Sequence, residues 1–277
     1  MFKRASCAAV VMLFTNAIVF GNDDAIKEWL EKQPIKVGEK IEDRGEGFFS
    51  AKGNTLMHLA AKDGRVDVMK WLKEQGEDIN AENNDEMTPI HYAACGHRFF
   101  EIQRLFEIFE MDIEPEQLNI KLKEVQINLM ARDRNLEAMK WLYEQGADIG
   151  DDDGYIPIVY AAWGGNIETI KWLKEQGADI NASCIDGVTA LGVTFMTLIG
   201  ILDDIEDLLE AEAEFPELQA EDTKKIMLCL VQDIKESIKW LRDNGAVIDD
   251  GDDEEAEEID KLLKEADQLL KDHGLIE

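Results

Sequence analysis

KWLKEQGADIN, residues 171–181, decides how this chain is read, because the phrase is spelled four times. KWLKEQGEDIN stands at 70–80, KWLYEQGADIG at 140–150 and KWLRDNGAVID at 239–249. A catalytic centre needs one constellation of groups, whereas a recurring phrase marks a building unit. Around the first copy, Val66, Met69 and Leu72 fall at helical spacing, and Val68 and Trp71 widen the stripe. That pattern predicts one amphipathic helix per copy. Gly76, Gly146, Gly177 and Gly245 stand where the periodicity ends and are predicted to cap the helices in the left-handed conformation. The following ADIN turns the chain outward.

A second, shorter helix is predicted upstream of the phrase. GNTLMHLAAKDG (53–64) and EMTPIHYAACGH (86–97) show it best. Thr55 and Thr88 suit the N-cap, Pro89 suits the first helical turn, and the Ala60–Ala61 and Ala93–Ala94 pairs permit close helix approach. The same frame fits IPIVYAAWGG from Ile156 and VTALGVTF around Thr189, and more loosely VQINLMA from Val125 and KKIMLCL from Lys224. The frames start at 55, 88, 125, 156, 189 and 224, so successive differences are 33, 37, 31, 33 and 35. A period near 33 built from a turn and two helices resembles the ankyrin repeat, whose Thr-Pro-Leu-His-x-Ala signature is approached by TPIHYAA at 88–94. The resemblance spans about 53–250 and implies an all-α, helix-turn-helix solenoid of about six repeats with helical caps.

A longer period overlies the short one. Thr55 to Ile156, Thr88 to Thr189 and Pro115 to Pro216 are each 101 residues apart, which reads as a tandem duplication, 53–153 and 154–250. In MDIEPEQLNIKLKEV and AEAEFPELQAEDTKK a Pro-initiated, helix-favouring stretch replaces the usual turn, so the outward finger is expected to be lost and a helix lengthened. Residues 22–52 read as an N-terminal capping helix, with Trp29 in the place of the later tryptophans, and a loop. Residues 251–277 read as an acidic capping helix whose Ile259, Leu262, Leu263, Ala266, Leu269 and Leu270 share one stripe. Exposed solenoid ends need such polar-faced covers.

The 277 residues are 45% hydrophobic, enough for a large core. Against 60 Asp and Glu stand 29 Lys and Arg, a net charge of −31 that opposes nonspecific binding to nucleic acid or anionic membrane. Residues 1–21 carry Lys3 and Arg4, an apolar run from Ala8 to Phe20 and small residues at Val19 and Gly21. They read as a signal peptide, with a buried N-terminal helix as the alternative. The expected location is therefore exported, periplasmic or secreted. Removal of Cys7 would leave Cys95, Cys184 and Cys229, an odd number set in apolar surroundings, which reads as buried thiols in place of a disulfide framework.

Catalysis finds no motif: His58, His91, His97 and His273 belong to no nucleophile or metal signature, and no phosphate-binding glycine loop is present. Neither a cofactor nor a metal is expected, since the acidic runs at 151–153 and 249–258 lack the EF-hand pattern. Trp71, Trp141, Trp172 and Trp240 recur at one offset and read as packing between repeats; Trp172→Ala is expected to cost about 3–5 kcal/mol. The ankyrin resemblance implies a non-catalytic protein-interaction module, a scaffold or adaptor, monomeric and bound to another protein. It places partner contacts at the finger tips and just after the paired alanines. The positions so implied are Lys62, Asp63, Met87, Arg132, Tyr155 and Trp163, with Asn54, Cys95, Gly96, Asp133, Gly164 and Val188 beside them. Trp163 reads equally as an interface anchor and as a filler beside Gly164 and Gly165. Two other readings stay open: an acidic divalent-cation binder, and a secreted effector acting on host proteins.

Overall fold

The computed structural model describes residues 23–42, 52–96, 117, 120–121, 134–149, 156–184, 187–214, 221–248 and 253–272. Its named helices are α1 (Asp23–Glu31), α2 (Leu56–Lys62), α3 (Val66–Glu74), α4 (Arg134–Glu144), α5 (Pro157–Trp163), α6 (Ile167–Glu175), α7 (Ala190–Glu214), α8 (Glu221–Asp243) and α9 (Asp253–Asp272). Residues 89–96 are also helical. The described residues contain no β-strand, only an isolated antiparallel bridge between Ser183 and Thr189. No described helix is long and apolar enough to cross a membrane.

The helices stack as pairs. Helix α2 packs on α3, α5 on α6, and α7 on α8. One layer holds α2, the 89–96 helix, α5 and α7; the other holds the phrase-bearing helices α3, α4, α6 and α8, with α3 beside α4 and α6 beside α8. The second pair joins segments distant in sequence. The buried Asn135, at the start of α4, donates from Nδ2 to the carbonyls of Ala61 (3.1 Å) and Lys62 (2.7 Å). A Cβ built on Gly96 would lie 3.2 Å from the Asn135 side chain, so the 89–96 helix packs against the same residue at Gly96.

This pairing revises the unit count. The frames at 55, 156 and 189 each open a pair and the frame at 88 opens the 89–96 helix, but the frame at 224 lies inside α8. No Gly or Pro interrupts residues 221–243, so nothing stops that helix before the cap at Gly245. The units predicted at 189 and 224 are therefore one long pair, with α7 extended through Glu214 as the Pro-initiated stretch suggested. The frame at 125 falls outside the described residues.

Each phrase helix ends as its glycine requires. Gly76, Gly146, Gly177 and Gly245 have φ of +93°, +93°, +100° and +84°. In each cap the glycine N–H bonds the carbonyl three residues back, and the next N–H bonds the Leu carbonyl five back, for example Gly177 to Lys174 and Ala178 to Leu173, both at 3.0 Å. This pattern satisfies carbonyls that the helix end would otherwise orphan. Val68, Met69, Leu72, Ile170, Leu173, Ile238 and Leu241 are buried in one continuous core, and the four phrase tryptophans pack half-buried against it.

Both ends are covered. Ile26 and Trp29 of α1 enter the core, and Trp29 Nε1 donates to Asp63 Oδ2 at 2.9 Å. Arg65 bridges to α1 by donating to the Ala25 carbonyl at 3.4 Å while its fork grips Asp67 at 2.8 and 2.7 Å. Burial alone would raise the Asp67 carboxyl; the hydrogen bond and charge of Arg65 outweigh it and hold the group below its ordinary value. At the other end α9 buries Ile259, Ala266 and Leu270 against α7 and α8. Lys235 pairs with Asp267, and Arg242 with Asp260 at 2.5 Å.

Candidate protein-interaction surface

The helices of the α2, α5 and α7 layer carry several of the expected contact positions. The residue seven positions after each frame start is Lys62, Cys95, Trp163 and Met196 in turn, so the same backbone site receives four different side chains. Lys62 and Trp163 are half-buried, Cys95 is buried, and Met196 is 61% exposed. One turn further along α7, Ile199 is 38% exposed, followed on the same stripe by exposed Asp203 and Glu206. Two neighbouring inner helices thus present an aromatic and a thioether side chain in equivalent positions, with an apolar residue and two carboxylates beyond.

The expected contact residues divide. Asp63 is half-buried and already receives the Trp29 indole N–H, so it serves the N-terminal cap as well as the surface. Arg132, Asp133 and Tyr155 lie outside the described residues. Met87 is a correction: it is 1% exposed, and its carbonyl is 3.0 Å from His58 Nε2, so it belongs to the core. Asn54 is likewise interior at 1% exposure. Its Nδ2 donates to Tyr92 Oη at 3.0 Å, and Asn83 Nδ2 donates to the same oxygen at 3.1 Å and to Asn54 Oδ1 at 2.9 Å. The base of the finger turns its amides inward to satisfy one phenol. Cys95 and Gly96 are buried too, and Val188 and Gly164 offer little. Met196 and Ile199 were not anticipated, although Met196 occupies the same frame position as Trp163; the VTALGVTF copy lacks the paired alanines that marked the others.

The ionisable groups near this surface are built for structure. Thr55 N–H donates to His58 Nδ1 at 3.1 Å, and Thr88 N–H to His91 Nδ1 at 3.0 Å, so each imidazole closes the first turn of its helix. With Nδ1 accepting, His58 Nε2 carries the proton and donates to the Met87 carbonyl, which ties the first repeat to the next finger. Burial depresses the His58 imidazole to about 4, against the opposing pull of the Met87 hydrogen bond. Burial also pushes the Cys95 thiol and the Tyr92 phenol up, which keeps both neutral and inert. Among the described residues no group of three or more His, Cys, Asp or Glu side chains could hold a metal ion.

A sequence profile described as "Ankyrin repeats (3 copies)" matches residues 14–116 and 127–219. The chain belongs to the ankyrin-repeat family. This ankyrin-repeat protein is 32% identical over 95 residues to a transient receptor potential cation channel subfamily A member 1 homolog of Caenorhabditis elegans. It is 30% identical over 105 residues to alpha-latrocrustotoxin-Lt1a of Latrodectus tredecimguttatus, and 26% identical over 141 residues to the subfamily A member 1 channel of Drosophila melanogaster. These alignments cover 34%, 35% and 49% of this chain, and it spans only 8%, 7% and 11% of those proteins. Ankyrin repeats are protein-interaction modules, and the family is generally non-catalytic.

Proposed function

We propose that this ankyrin-repeat protein is a non-catalytic scaffold or adaptor that works outside the cytoplasm, gripping another protein on its inner helix layer around Trp163, Met196 and Lys62. The observation that carries the reading is the exposure of Met196 and Ile199 on a helix that buries Leu191, Leu198, Ile201, Leu202 and Ile205. Large apolar side chains at the centre of an interface supply most of its binding energy, and an isolated solenoid has no other use for them there. Asp203 and Glu206 continue the stripe, and the net charge of −31 repels nucleic acid, so the partner is a protein with an apolar anchor and a positive rim. The channel and toxin activities named for the relatives belong to chains several times longer, of which this one matches 8%, 7% and 11%, and are no part of this proposal.

Export rests on residues 1–21 alone, with their basic start and apolar run. N-terminal sequencing of native protein is expected to begin near Asn22; an intact Met1 would remove the extracytoplasmic half of the proposal. The binding half is tested by capture on the mature chain, with partners identified by mass spectrometry. Trp163→Ala and Met196→Ala are expected to weaken the captured partner by about tenfold or more, since anchors of this kind commonly exceed 1.4 kcal/mol. Unchanged affinity in both variants would rule this surface out.

A further inference from the structure

The three junctions between phrase helices solve one packing problem in two ways. At the first, Lys73 Nζ lies 6.0 Å from the centroid of the Trp141 ring and donates to Gln145 Oε1 at 2.7 Å. At the third, Lys174 Nζ lies 5.5 Å from the Trp240 ring and donates to Asn244 Oδ1 at 2.9 Å and to its carbonyl at 3.2 Å. Both ammonium groups are held by the same two parts: an indole and the side-chain amide oxygen four residues after it. The middle junction has the parts without the cation. Tyr143 stands at the lysine position and meets Trp172 edge-to-face, with centroids 5.4 Å apart and planes at 86°. Gln176, four residues after Trp172, is exposed, and its side chain makes no hydrogen bond among the described residues. Tyr143 is 37% exposed. Glu144 and Glu175, next along the two helices, are exposed and without an ion-pair partner among the described residues.

We propose that Tyr143, Trp172 and Gln176 form a receptor for one lysine or arginine side chain of a basic partner segment, on the helix layer opposite the Trp163–Met196 surface. The chain supplies its own precedent, since it binds two of its own lysines with the same indole and amide pair. Aromatic faces attract cations, the free amide oxygen is an acceptor, and the neighbouring carboxylates add a favourable field. A partner cation here occupies the one rung of the ladder that lacks one.

The test follows the six indole N–H resonances of the 15N-labelled full chain while hexalysine is added, with the Trp172 signal assigned by its loss in Trp172→Phe. The expected result is a saturable shift of the Trp172 signal that exceeds those of Trp141 and Trp240, whose rings already hold lysines. Tyr143→Lys supplies the missing internal cation and should abolish the Trp172 response while all indole signals stay dispersed. Gln176→Ala, an exposed change that leaves folding intact, should weaken hexalysine roughly tenfold through loss of a charged hydrogen bond. A shift shared equally by Trp141, Trp172 and Trp240, or a Trp172 response retained in both variants, overturns the proposal.

Discussion

The ammonium of Lys174 hangs 5.5 Å from the centre of the Trp240 indole, a ring that lies one helix pair further along the stack. Lys73 repeats the relationship with Trp141 at 6.0 Å. The phrase therefore works between units as well as within them: the residue two after each tryptophan serves the next tryptophan. Lys174 is half-buried and donates to two oxygens of Asn244, whereas Lys73 is exposed and donates to one of Gln145. Lys174→Met should consequently cost about 1–2 kcal/mol and Lys73→Met about 0.5–1 kcal/mol, from the range of cation–π and charged hydrogen-bond contributions. Urea midpoints of the two variants check the order; an equal or reversed pair would mean that the ladder adds nothing beyond packing.

Trp172→Ala is expected to destabilise by about 2–3 kcal/mol, below the core value of about 3–5 kcal/mol, because the ring is half-buried and one side of it meets Tyr143 and solvent instead of the core. The same denaturation measurement decides between them. A midpoint like that of the unmodified protein would show that the repeated tryptophans are not what joins the repeats.

The fold was legible because its signals are local and repeated: a stripe of apolar residues, a glycine with positive φ after it, and a threonine capped by a histidine before it. Each can be read within a dozen residues. Distance along the chain was harder. A period near 33 carries no information on whether a helix stops, so Lys224 read as the opening of a unit although α8 runs unbroken from Glu221 to Asp243. The site was legible only where the frame and the burial agree. Trp163 is half-buried, while Met87 and Asn54 turn inward, because a finger residue can satisfy a buried His58 or Tyr92 as readily as face solvent.

Two glycines separate conformational cost from steric cost. At Gly177, φ is +100° and an added Cβ would meet nothing within 4 Å, so Gly177→Ala should cost about 1–2 kcal/mol from the left-handed backbone alone. At Gly53, φ is +85° and a Cβ would fall 2.6 Å from the backbone nitrogen of Asn84, which cannot swing away as a side chain would. Gly53→Ala should thus be the more damaging by at least about 1 kcal/mol, the strain of forcing backbone in a packed turn. Thermal midpoints of the two variants, compared at one pH, check it; a milder Gly53→Ala would mean that this turn relaxes freely.

Acid should act through His58. Its imidazole ionises near 6.5 when the chain is unfolded and at about 4 when buried, so the folded state resists the proton that the unfolded state accepts. The contribution is fully present above about pH 6.5 and is lost as pH falls from there to about 4, below which both states are protonated and the loss levels off. A shift of this size corresponds to about 3 kcal/mol at most, taken from the difference in proton affinity. Asp67, held low by Arg65, loses its contribution only below its unfolded value, so it does not add to the limb between pH 6.5 and 5, and the comparison with a His58 variant assigns that histidine's share of it. Unfolding free energy measured from pH 7 to 5 should fall in the unmodified protein and fall much less in His58→Gln, which keeps a hydrogen-bonding amide but has no proton to gain. Parallel curves for the two proteins would place the acid sensitivity elsewhere and return His58 to a purely steric role.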